Sequence, residues 1–135
     1  MTLWVVDASV LLASEDADDA NHAAVTRLLE SAGPLATLDL ALYEVTNVAV
    51  RAWRDHAAAR RLRQRVAALA DDGGLVRAEA VVAAAALIAQ EHGISVYDAA
   101  YVAAARLWGA PLVSCDVRDL VPAGLARLPA EALPG

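Results

Sequence analysis

Four short apolar runs, separated by stretches of helical spacing, are what most constrains this chain. They are Leu3-Trp4-Val5-Val6, Leu35-Ala36-Thr37-Leu38, Leu75-Val76-Arg77 and Pro111-Leu112-Val113-Ser114-Cys115. Each is short, rich in bulky or β-branched residues, and bounded by turn-forming or charged residues, so each reads as a buried strand. Helices are expected over residues 10–14, 21–31, 40–54, 57–70, 79–91 and 95–108. Gly33-Pro34 and Asp71-Asp72-Gly73-Gly74 mark clear breaks. Strands that alternate with helices pair in parallel through right-handed crossovers. The expected fold is a three-layer α/β/α sandwich with a short-stranded, mainly parallel central sheet. Residues 124–128 read as a last edge strand and residues 129–135 as a loose tail. The 135 residues read as a single domain, 1–135, long enough to bury a core without disulfides or a structural metal.

The chemistry begins with an anomaly in the 95–108 segment. Its first part, Val96-Tyr97-Asp98-Ala99-Ala100-Tyr101-Val102, is apolar apart from one carboxylate. A carboxylate there is costly unless a cation or a hydrogen-bond donor meets it. Three other acids interrupt apolar contexts in the same way. Asp7 follows the first strand, Asp116 follows the fourth, and Glu44 lies on the helix after the second. Sites in parallel sheets form beyond the carboxyl ends of strands. If strands one and four are neighbours, the four carboxylates converge on one cleft.

Each acid alone has a structural role open to it. Asp7 can cap the helix that follows, and Asp39 can cap the 40–54 helix. Ser95-Val96-Tyr97-Asp98 matches a capping box, Asp116 can cap the 117–120 turn, and Glu44 can reach solvent. Together they repel one another, and a divalent cation is what holds such a group together. Hard oxygen ligands without a His or Cys cluster suit Mg2+ or Mn2+. Such an ion can activate water and stabilise the entering and leaving oxygens of an in-line phosphoryl displacement.

Composition narrows the classes. The net charge is −6, so the molecule is not a general polyanion binder. All 11 basic residues are Arg. Receiver domains and phosphatases that place a lysine beside a phosphorylated aspartate are therefore excluded. Asp7-Ala8-Ser9 also lacks the second acid of an Asp-x-Asp phosphatase motif. One cysteine, Cys115, excludes an internal disulfide and fits a reducing compartment. No secretory signal is visible, and the uncharged run 80–89 is far short of the ~20 residues of a membrane span. A soluble cytoplasmic protein, away from membranes, is expected.

The basic residues cluster at Arg51, Arg54, Arg60, Arg61, Arg63 and Arg65. They could grip nucleic-acid phosphates or form a solvated helix face. Arg51 and Arg54 are the RNA-binding candidates, because they continue the Glu44 helix. Trp53 reads as a core or dimer contact ahead of a base-stacking platform. His22, His56 and His92 show no metal-ligand spacing, Cys115 has no paired His, and residues 81–88 read as core.

With those residues in view, the chain resembles PIN-domain ribonucleases. Asp7-Ala8-Ser9, Glu44-Val45-Thr46-Asn47, Tyr97-Asp98-Ala99-Ala100-Tyr101 and Ser114-Cys115-Asp116 resemble the four motifs of that family in order and spacing. The length resembles the VapC toxins of bacterial toxin–antitoxin pairs. The resemblance implies a metal-dependent endoribonuclease in which Asp7, Glu44, Asp98 and Asp116 bind Mg2+ or Mn2+ and hydrolyse RNA phosphodiesters. It implies supporting roles for Ser9, Asn47 and Ser114, with Ser114 standing where Thr is more usual, and Asp119 is a further acidic neighbour. It also implies a homodimer and a cognate VapB-type antitoxin that can place a basic side chain in the acidic cleft. The alternative is a non-catalytic PIN-like interaction protein that binds RNA or a partner through that cleft.

Overall fold

The computed structural model describes residues 3–31 and 33–133. Four strands, β1 (Trp4–Val6), β2 (Leu35–Leu38), β3 (Leu75–Val76) and β4 (Leu112–Val113), pair in parallel in the order β3-β2-β1-β4. Each falls within its apolar run. Val5 pairs with Ala36 on one side and with Leu112 on the other, so the first strand of the chain is central in the sheet.

The helices are α1 (Ala8–Glu15), α2 (His22–Ser31), α3 (Leu40–Arg51), α4 (His56–Asp71), α5 (Val82–His92), α6 (Val96–Leu107) and α7 (Pro129–Ala132). The chain steps outward from β1 to β2 and β3, then returns past β1 to β4. Right-handed crossovers therefore place α1–α4 on one face of the sheet and α5 and α6 on the other. α4 packs on β2 and β3, and α6 packs on β1 and β2 with α5 against it. This is the expected three-layer α/β/α arrangement.

The fully buried side chains include Val5, Val6, Leu38, Leu11, Leu28, Leu62, Val66 and Tyr101. Each large aliphatic group among them contributes about 1.5–3 kcal/mol by burial. Ala99, Ala103 and Ala104 are buried on α6, and their small side chains let it lie close to the sheet. No single described helix is long and apolar enough to cross a membrane.

Several local expectations need correction. Asp39 does not cap α3 with its side chain. Its carboxylate instead accepts from the Ala78 N–H at 2.9 Å, which ties the end of β2 to the turn after β3. α3 stops at Arg51, because Trp53 N–H turns back to the Val48 carbonyl and Asp55 N–H to that of Ala49. Arg54 thus lies in the connection, with φ 53°, and Asp55 caps α4 through the Ala58 N–H at 3.0 Å. The 79–91 helix is a 3₁₀ turn, Ala78–Val81, followed by α5. Val81, Ala85 and Ile88 are core, but Val82 and Leu87 on the same run are exposed.

The expected edge strand at 124–128 shrinks to one parallel bridge between Val113 and Arg127. The Arg127 guanidinium lies over the Trp4 ring, 5.7 Å from its centroid. That anchor lets the following segment fold back. Residues 129–132 form α7, which packs on α2 with Pro129 and Ala132 buried, where a loose tail was expected. Residues 134–135 lie outside the described residues.

Gly74 is required by a close approach. A Cβ built there would stand 2.2 Å from the Leu35 carbonyl oxygen and 3.1 Å from that of Leu69. The first belongs to β2 and the second to the last turn of α4; both are backbone atoms, so neither yields easily. Gly74→Ala is expected to lower stability by about 1–3 kcal/mol, the usual cost of overpacking. Urea unfolding of the two proteins checks this.

Candidate active site

The chain reverses its direction across the sheet between β1 and β4. In parallel sheets, ligands bind at such a switch point, beyond the carboxyl ends of the strands. Asp7 is the first residue after β1 and the N-cap of α1, and Ser114 directly follows β4. Two hydroxyls meet the Asp7 carboxylate there. Ser9 donates to Oδ1 at 2.5 Å and Ser114 donates to Oδ2 at 2.5 Å. The Val10 N–H adds a longer bond to Oδ1, 3.3 Å. Each serine oxygen also accepts a backbone N–H from the loop after β4: Ser9 from Cys115 at 2.9 Å, Ser114 from Asp116 at 3.0 Å. Both serine protons are therefore committed to Asp7, and the 3.4 Å approach of the two serine oxygens is a contact between fixed groups.

Glu44 enters from the first half of α3. The Tyr101 hydroxyl, on α6, donates to its Oε1 at 2.5 Å. Asp98 sits in the first turn of α6, where Ser95 accepts its backbone N–H at 3.0 Å. A helix N-terminus favours a carboxylate. The Oδ1 of Asp116 accepts the N–H groups of Arg118 at 2.8 Å and Asp119 at 3.0 Å, which leaves Oδ2 without either bond.

Asp7, Glu44, Asp98 and Asp116 line one cleft together with Ala8, Ser9, Leu12, Val48 and Tyr101. None of those residues is basic. Asp98, Asp116 and the exposed Asp119 each bring one carboxylate oxygen within 4.8 Å of the others. Asp98 couples to all four neighbours, to Asp7 and Glu44 on the buried side and to Asp116 and Asp119 on the open side.

The electrostatics follow from this crowding. Asp7 is 5% exposed, and burial pushes its carboxyl up to about 6; the Ser114, Ser9 and Val10 bonds oppose that shift and the Asp98 charge adds to it. Glu44 is raised first by burial, with the Tyr101 bond opposing and Asp7 and Asp98 adding. Asp98 is raised by burial and then by Asp116, with the Ser95 bond opposing and Asp119 adding. An all-oxygen, all-acidic donor set with no counter-charge in its lining fits a hard divalent cation such as Mg2+ or Mn2+.

Other expected residues stand apart. Asn47 is exposed and outside the cleft lining, as are Arg51 and Arg54. Part of the basic cluster is structural: Arg61 and Arg65 bind Glu15 at 3.0 and 3.3 Å and tie α4 to α1. Trp53 packs partly buried against the core. Burial, with the Asp7 charge adding, pushes the Cys115 thiol up to about 12, which makes it a poor nucleophile. His22 sets Nδ1 2.7 Å from the Ala13 carbonyl oxygen, away from the carboxylates.

The bond to Glu44 was not anticipated for Tyr101, although its signal is in the sequence. Tyr101 lies one helical turn after Asp98, on the same face of an apolar helix. A buried tyrosine hydroxyl usually needs a polar partner.

The PIN domain family matches residues 4–121, and the chain belongs to that family. Its fold is similar to that of a toxin–antitoxin complex chain from Klebsiella pneumoniae, with a TM-score of 0.70, 18% identity, and 96% of this chain and 98% of that one covered. PAE2754 of Pyrobaculum aerophilum is 27% identical over 93% of this chain and 82% of its own, with a TM-score of 0.64. VapC20 of Mycobacterium tuberculosis, described as a sarcin–ricin loop cleaving toxin, is 23% identical over 90% of this chain and 95% of its own, with a TM-score of 0.62. No curated protein sequence matches the chain.

Asp7 ties pH to stability in the metal-free protein. Its carboxyl holds a proton more tightly folded, at about 6, than at the ordinary 3.8. Its contribution is therefore fully present below about pH 4 and is lost as pH rises through 6. Asp7→Asn should remove that slope, while its amide nitrogen, unable to accept the second serine proton, offsets the gain in stability at pH 7. Urea unfolding in chelator from pH 4 to pH 7 measures both effects.

Proposed function

We propose that this chain is a Mg2+- or Mn2+-dependent endoribonuclease, the toxin of a toxin–antitoxin pair, acting in the cytoplasm. The observation that carries the reading is the convergence of Asp7, Glu44, Asp98 and Asp116 on one cleft whose lining has no basic residue. An RNA phosphate would be repelled from such a cleft unless a cation stood between them. Membership of the PIN family and the toxin–antitoxin setting of similar folds support the same class.

The residues divide the work. Asp7, with both oxygens fixed by serine hydroxyls, is the rigid inner acid. Glu44 is held by Tyr101, and Asp116 keeps Oδ2 clear of the turn that binds its Oδ1. Asp98 joins this inner group to Asp119 at the open side. A bound Mg2+ or Mn2+ would supply charge to polarise the phosphodiester and to lower the pKa of an attacking water. The carboxylates would hold that charge in place, and their fixed orientation limits the reorganisation needed when the scissile phosphate arrives.

Arg51 is the better placed of the two RNA-binding candidates. It is seven residues, or two turns, from Glu44 on α3, which puts it on the same helix face about 10 Å along the axis. A flanking phosphate lies within reach of such a group. Arg54, in the turn beyond, supplies a second exposed guanidinium. An antitoxin partner would neutralise the cleft by supplying the positive charge that its lining lacks, and a homodimer is part of the same reading.

Purified protein should cleave RNA with Mg2+ or Mn2+ and not in chelator. Asp98→Asn should bring cleavage and growth arrest to background while leaving the circular dichroism spectrum intact; a fully active Asp98→Asn protein would refute the assignment. Arg51→Ala should raise KM more than it lowers kcat, and should reduce the salt slope of RNA binding by about one. Initial rates and binding over a KCl series read both.

A further inference from the structure

We propose that Tyr101 is a positioning residue for the cation site, its hydroxyl holding Glu44 with one carboxylate oxygen anchored and the other turned to the cleft. The inference rests on the metal-dependent reading above. It deepens that reading by giving a residue outside the acidic set a measurable part in cation affinity.

Three observations carry it. The Tyr101 hydroxyl donates to Glu44 Oε1 at 2.5 Å across 57 residues of chain, joining α6 to α3. The ring is 2% exposed and belongs to the core, so the hydroxyl has little freedom to move. Tyr101 also lines the same cleft as Asp7 and Glu44.

The direction of that bond is fixed, because an ionised carboxylate can only accept. The hydroxyl therefore gives its proton to Glu44. A free glutamate side chain would lose rotamer entropy on binding a cation. Anchoring Oε1 in advance removes much of that loss and leaves Oε2 as the ligand. Burial and the neighbouring acids favour the neutral form of Glu44, and the Tyr101 bond favours the charged one.

A structural role alone predicts something different. A buried tyrosine that only satisfies its own hydroxyl would affect folding and leave cation affinity unchanged. Titration calorimetry with Mn2+ on the purified protein separates the two. Tyr101→Phe should fold and bind Mn2+ about 10–100-fold more weakly, the usual effect of losing a group that orients a metal ligand. In a Glu44→Gln background the same substitution should cost nothing further. Wild-type affinity in Tyr101→Phe, or an equal loss in the Glu44→Gln background, would overturn the inference while leaving the metal-dependent reading standing. A wild-type protein that binds no Mn2+ would overturn both.

A second measurement leaves Tyr101 in place. The chain has three tyrosines, and Tyr43 and Tyr97 are exposed. In Tyr43→Phe/Tyr97→Phe protein, the one remaining tyrosine 13Cζ resonance reports the Tyr101 hydroxyl. Saturating Mg2+ should shift it, and Glu44→Gln should abolish the shift. An unmoved resonance at saturation would contradict the proposal even if Tyr101→Phe failed to fold.

Discussion

The structure depends on the two hydroxyls that grip Asp7. Ser9 and Ser114 each donate to one oxygen of that carboxylate, and each accepts an N–H from the loop after β4. This closed set of bonds joins the ends of β1 and β4 at the point where the chain reverses across the sheet. It allows an acid to stay buried there, because every polar atom in the set has a partner. It also fixes the place at which Asp116 leaves the sheet, and so the shape of the cleft.

Around that anchor the carboxylates form a gradient. Asp7 is buried, Glu44 and Asp98 are partly buried, and Asp119 is exposed. Burial is the first cause of the raised pKa of Asp7, Glu44 and Asp98, and mutual repulsion adds to it. A metal-free protein therefore stores unfavourable energy in the cleft. The neighbouring hydrogen bonds from Ser9, Ser114 and Tyr101 all favour the ionised forms. Groups held charged against their environment, with no cation in the lining, are poised to accept one. The cost in stability is the expected companion of such a site.

Much of this was legible in the sequence, for identifiable reasons. The strands were visible because short β-branched runs bounded by Asp, Gly and Pro leave few alternatives. The convergence of four acids followed from the alternation of strands and helices once β1 and β4 were taken as neighbours. What stayed hidden depended on contacts between distant residues. Asp39 had the local signature of a cap, yet Ala78, 39 residues away, takes its carboxylate. Residues 129–132 had the composition of a tail, but the Arg127–Trp4 stacking and the α2 surface hold them. Arg61 and Arg65 looked like part of a phosphate-binding stripe until Glu15 appeared as their partner. The Tyr101–Glu44 bond lay within two quoted motifs, and only the crossing of α6 and α3 brought them together.

The central claim is that these carboxylates form one cation site. A crystal structure grown with Mn2+, with an anomalous difference map at the manganese edge, tests it most directly. The account predicts manganese density in the cleft among Asp7, Glu44, Asp98 and Asp116. Density confined to other acidic turns, such as Asp16–Asp19, with the cleft occupied only by water, would contradict it.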